Sequence, residues 1–134
     1  MALKKQYYGI KLPFRVDNDD NFFLNLNESM EDKVASEIVH VILTPKRSRI
    51  RMPEFGTDLI KFVFEMNDAD SWEAIKREIK EAVKTYVPNA AIDDIEVVSY
   101  DGREVESENG IYVDIHYSVL KGNTTSSYRM GVKL

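Results

Sequence analysis

The chain has no cysteine, which excludes a disulfide framework, a thiolate zinc site and a thiol nucleophile, and is compatible with a reducing compartment such as cytoplasm. Histidine is scarce too. His40 and His116, the only two, lie far apart without H-x-x-x-H spacing, so neither metal nor cofactor is expected. No apolar run approaches the roughly 20 residues that span a bilayer. The N-terminal M-A-L-K-K-Q-Y-Y-G also lacks the apolar centre of a secretory signal. The expectation is a soluble protein with no membrane partner. Neither a glycine-rich phosphate loop nor a G-x-S-x-G nucleophile turn occurs. Excess positive charge is missing as well, and a net charge of -5 repels nucleic acid and anionic lipid at long range.

What is present suffices for a core. A chain of 134 residues with 43% hydrophobic content suits one domain, 1–134, burying roughly two-thirds of the surface its unfolded form exposes. Residues 1–27 read as an N-terminal arm: Gly9, Pro13 and the polar turn 17–21 separate the short apolar pieces 11–14 and 22–24. From Asn27 or Ser29, both competent caps, Met30, Val34, Ile38, Val41 and Ile42 recur at helical spacing. The helix should stop at Thr44, which Pro45 pushes out of helical geometry. Phe55, Leu59, Phe62, Val63 and Met66 form a second, shorter stripe. Trp72, Ile75, Ile79, Ala82, Val83 and Tyr86 form a third, capped by Asp70 or Ser71 and ended by Pro88.

Beyond residue 93 the period becomes two. Ile95, Val97, Val98 and Tyr100 suggest a strand, with a turn at Asp101-Gly102. Ile111, Val113, Ile115, Tyr117 and Val119 alternate with Tyr112, Asp114, His116 and Ser118, which predicts one buried face and one wet face. Tyr128, Met130, Val132 and Leu134 alternate in a last strand. The fold class is α+β: about three helices packed on a small, mainly antiparallel sheet of three or more strands. Such a sheet has two edges, and an unblocked edge pairs with another chain.

Three constellations could carry chemistry. Glu54, Asp58, Glu65, Asp68 and Asp70 surround the middle helix, but glycosidase work needs one carboxyl in an apolar pocket and a second about 5 to 9.5 Å away. Helix caps and a solvated face are the simpler reading. Asp17, Asp19, Asn21 and Glu28 have the spacing of a calcium loop, with the Phe23 carbonyl at its seventh position, yet Phe22 stands where that loop needs glycine. Lys46, Arg47, Arg49 and Arg51 place four cations in six residues. In an extended strip Arg47, Arg49 and Arg51 would share a face suited to phosphates or carboxylates. With Phe55 alone to stack on, single-stranded nucleic acid is disfavoured against an acidic protein surface or pairing with Glu54 and Asp58.

Thr44, Ser48, Arg49, Pro53-Glu54-Phe55-Gly56 and Asp58-Leu59, with Phe64-Glu65 after them, resemble the T-x-x-G-[ES]-R-x-x-x-P-E-F-G-x-x-L pattern of baseplate wedge proteins from contractile phage tails and type VI secretion systems. That family often bears a lysozyme-like label. The resemblance spans nearly the whole chain. Two departures stand out: Arg47 replaces the usual glycine, and Val87-Pro88-Asn89 replaces a frequent Glu-Pro-Arg.

The resemblance implies a non-enzymatic structural subunit, assembled in the bacterial cytoplasm into a tail or secretion baseplate. It would join other wedge subunits and present a strand platform from which the contractile sheath starts. Thr44, Arg49, Pro53, Glu54, Phe55, Gly56 and Leu59 would form a structural joint. Arg47, Arg51, Val87, Pro88, Asn89, Ile115 and Tyr128 would face partners, with sheath strands added along 111–120 or 126–134. The alternative is a lysozyme-like peptidoglycan hydrolase using a pair among Glu54, Asp58, Glu65 and Asp70.

Overall fold

Ser29 starts the first helix. Its backbone is extended and its hydroxyl accepts the N–H of Asp32, opening α1 (Met30–Leu43) with Glu31 and Asp32 in the positive first turn. Thr44 ends it in extended geometry before Pro45, as the proline requires. The computed structural model describes residues 6–16, 23–62, 64, 69–100 and 110–134. The calcium-loop positions 17, 19, 21 and 22, the stripe residues Val63 and Met66, the carboxylates Glu65 and Asp68, and the turn Asp101-Gly102 lie outside them.

Asn27, the alternative cap, has a different task. It is buried, its amide donates to the Ile10 carbonyl, and its Oδ1 accepts the hydroxyl of Ser36. Ser36 Oγ in turn accepts the N–H of Leu12. These bonds, with backbone pairing around the Ile10–Leu26 bridge, stitch the arm to α1. They satisfy polar groups that burial would otherwise strand.

The second stripe yields a single turn, α2 (Leu59–Phe62), in which Leu59 is buried. The third helix, α3 (Ala69–Tyr86), begins before Asp70 and Ser71, so both expected caps sit inside its first turn. Its apolar face buries Ile75, Ile79, Ala82 and Val83, and Pro88 lies just past the end.

Three antiparallel strands follow in spatial order: β1 (Ala90–Tyr100), β2 (Gly110–Lys121) and β3 (Thr124–Lys133). Gly122, at φ 60, makes the two-residue β2–β3 turn. Among the described residues, helices pack on one face only. There Ile95 and Val97 of β1, Ile111, Val113, Ile115, Tyr117 and Val119 of β2, and Val132 of β3 join Val34, Ile38, Ile75, Ile79 and Val83 in one core.

The other face of β2 is not wet throughout. Asp114 and Ser118 are 5% and 7% exposed, because polar cross-strand neighbours fold over them. Arg129 chelates the Asp114 carboxylate, and Ser118 donates to Asp93. Hydrogen bonding to Arg129, then its charge, holds the Asp114 carboxyl below the usual range against the opposing effect of burial.

Candidate assembly surfaces

Residues 44–59 close on themselves. Thr57 N–H donates to the Thr44 carbonyl at 2.9 Å, Lys46 N–H donates to the Thr57 carbonyl at 3.2 Å, and a parallel bridge joins Pro45 to Thr57. The buried Thr57 hydroxyl donates to the Ile42 carbonyl at 2.7 Å, satisfying an acceptor at the end of α1. Gly56 makes this closure possible. Its φ is +106, and a Cβ there would lie 2.0 Å from the Thr44 oxygen.

Phe55, 9% exposed, is the hub of the clasp. Its ring centroid lies 5.5 Å from that of His40 on α1 and 4.9 Å from that of Tyr86 on α3, with the Arg49 guanidinium carbon 4.1 Å above it. Arg49 Nη2 also donates to His40 Nε2 at 2.7 Å. That bond puts the neutral ring's proton on Nδ1. Burial against Phe55, then the charge of Arg49, lowers the His40 pKa. A second tie runs to α3, where Glu78 accepts both the Lys46 ammonium at 2.6 Å and the Asp58 N–H at 3.2 Å. Glu78 raises the Lys46 pKa chiefly through that hydrogen bond.

The basic segment is therefore a turn, not an extended strip with three arginines on one face. Arg47 takes φ 67 at the position where the wedge pattern has glycine, and its N–H donates to the Pro53 carbonyl at 2.6 Å. Arg49 and Lys46 are engaged within the protein. Arg47 and Arg51 are exposed and have no ion-pair partner among the described residues. Of the carboxylates weighed for hydrolysis, Glu54 and Asp70 are exposed and Asp58 pairs with Lys61 at 3.2 Å. Neither Glu54 nor Asp70 has the apolar enclosure that an acid catalyst requires. No group of metal-ligating side chains occurs among the described residues.

Two expected partner residues are misplaced. Val87 is 0% exposed and belongs to the core, so at that corner only Pro88 and the half-buried Asn89 reach the surface. Asn89 instead accepts the Leu120 N–H at 2.9 Å, fixing the helix-to-strand corner onto β2. Ile115 is also 0% exposed, and its strand pairs on both sides, so 111–120 offers no free edge.

The edges belong to β1 and β3, and they differ. β1 has a bulge between Ile92 and Asp94 and carries Asp93, Asp94 and Glu96, features that blunt an edge. β3 pairs without register shift over 10 residues and contains no proline. Ile111 and Leu134 exchange both backbone bonds, at 3.4 and 2.8 Å. The antiparallel alternation therefore turns the N–H groups of Thr125, Ser127, Arg129, Gly131 and Lys133 away from β2. Tyr128, 37% exposed, stacks on Tyr117 with centroids 5.9 Å apart and points its own N–H into the sheet.

One surface had no signal in the residue pattern. A groove of about 520 Å³ runs between the arm and the last turns of α1, lined by Ile10, Leu12, Phe14, Val39, His40 and Leu43 among others. Its walls come from segments some 25 residues apart in sequence, which the Asn27–Ser36 stitching and the Lys11–Asp32 ion pair help bring together.

Comparison with known families and structures matches residues 28–124 to the family described as baseplate wedge protein gp25. Three solved structures share the fold. A candidate tail lysozyme from Geobacter sulfurreducens is 24% identical, with TM-score 0.60, over 79% of this chain and 92% of that one. A chain of the anti-feeding prophage baseplate is 16% identical, with TM-score 0.59, over 91% and 81%. A chain of the post-contraction pyocin R2 baseplate is 15% identical, with TM-score 0.51, over 89% and 96%. Comparison with curated proteins finds no match.

Proposed function

Because this chain belongs to the baseplate wedge protein gp25 family, we propose that it is a structural wedge subunit of a contractile tail or injection machine. In this reading it starts the sheath by accepting a strand from the first sheath protein along β3. The observation that carries the reading is a β3 edge unblocked among the described residues, opposite a bulged, acidic β1 edge. Backbone pairing supplies affinity at such an edge, and alternate side chains supply selectivity. The fold shared with chains of two baseplates supports the position in the machine. The clasp from Thr44 to Leu59 fits a joint that fixes α1 and α3 against each other, so that the sheet is held at one angle. Exposed Pro88, Arg47 and Arg51 and the half-buried Asn89 remain available to neighbouring wedge subunits.

The test is sheath nucleation. Purified protein mixed with the sheath subunit from the same gene neighbourhood should shorten the lag of polymerisation, followed by light scattering and electron microscopy. A protein with an outward β3 N–H removed should not. Equal lag with and without the wild-type protein sinks the proposal.

A further inference from the structure

The groove between the arm and α1 combines two properties. Phe14 is 66% exposed, Leu43 52% and Ile10 48%, around a space within the range that buries a ligand. Basic residues adjoin one end of it through Thr44 and His40. Thr44 lines the groove and leads directly into the 46–51 turn, and His40, another lining residue, holds Arg49 at 2.7 Å. Arg47 and Arg51 stand exposed on that turn, beside the fully exposed Ile50. The α1 carboxylates near the groove are neutralised, Asp32 by Lys11 at 3.7 Å and Glu37 by Lys33 at 3.6 Å. In a chain of net charge -5 this is a local reversal of sign.

We propose that this groove seats an acidic amphipathic helix of a neighbouring subunit, its apolar side chains entering between Phe14 and Leu43 and its carboxylates meeting Arg47 and Arg51. Val39 and Leu43 are four residues apart on α1, about 6 Å along its axis, which matches anchors one turn apart on a partner helix. Charge complementarity favours an acidic partner over a second copy of this chain, whose own arginines would be brought against these. The proposal rests on the baseplate reading only for the source of the helix. It concerns how the protein is seated, not how the sheath begins.

A photo-crosslinking residue at the half-exposed Leu43, in particles assembled in cells, tests it. Mass spectrometry of the crosslinked peptide should return one segment with apolar residues at three- and four-residue spacing and net negative charge. The double change Arg47→Glu, Arg51→Glu should cut the yield at least tenfold while the melting temperature holds. A crosslink to a neutral or basic segment, to a second copy, or to no protein from assembled particles overturns the proposal. Ser127→Pro separates the two readings. Sheath that still forms on folded Ser127→Pro with the Leu43 crosslink intact dismisses strand addition alone, and wild-type sheath without any Leu43 crosslink dismisses the groove alone.

Discussion

Arg49 stacks its guanidinium 4.1 Å from the ring centre of Phe55 while donating to His40. One arginine thus closes the turn that follows α1 over the ring that also touches α3. A cation over an aromatic face contributes about 0.5–1 kcal/mol at an exposed site, and truncating a buried phenylalanine costs about 3–5 kcal/mol. Phe55→Ala should therefore destabilise strongly and Arg49→Ala mildly. In the double variant Arg49→Ala should add almost nothing. A double-mutant cycle by urea unfolding checks this, and full additivity would show that the contact carries no energy.

Gly56 and Gly122 both have positive φ, but only Gly56 lies against backbone. Gly122→Ala should cost about 1–2 kcal/mol, the left-handed penalty alone. Gly56→Ala adds the collision with the Thr44 oxygen and should cost at least twice as much. Equal losses would mean that the clasp yields freely.

Ser127 and Tyr128 are neighbours with opposite duties on β3. Proline at Tyr128 removes a bond of the β2–β3 ladder and should unfold or strongly destabilise the protein. Ser127→Pro removes an outward backbone donor and the 3.5 Å hydroxyl contact with Ser118, but no bond of the β2–β3 ladder. It should leave the melting temperature within a few degrees and abolish sheath nucleation. Normal nucleation by folded Ser127→Pro would dismiss strand addition on β3.

Two groups give pH markers of the same sign in two separate windows. The Asp114 carboxyl, lowered in the folded state by Arg129, stabilises fully above its unfolded pKa of about 4. That contribution disappears as pH falls through the lower folded value. Asp114→Asn should flatten the acid limb of stability. His40 is also lowered, but as a base. The unfolded chain takes up its proton first, so stability should decline as pH drops through about 6.5, and His40→Phe should remove that slope. Melting temperatures from about pH 3 to 8 for both variants decide the matter.

Local signals were legible in the sequence: Ser29 as a cap, Pro45 and Pro88 as stops, and alternation through 111–119. Each depends on chemistry within a few residues. Arg47 at a glycine position implies a turn without easy access to positive φ, yet Arg47 takes φ 67 there. Alternation could not reveal that Asp114 and Ser118 are covered, since their covers arrive from β3 and the β1 bulge. Nor could it assign Val87 to the core, or distinguish a central strand from an edge. Both follow from packing order, which no single segment encodes.

The bulge at Ile92–Asp94 has a consequence for numbers. A regular three-stranded sheet has two acceptors, but with β1 blunted this one has a valence of one. Under the strand-addition proposal, each copy recruits a single strand, always from the same side. On that proposal one surplus residue, Asp93, sets both the count and the polarity of what is added.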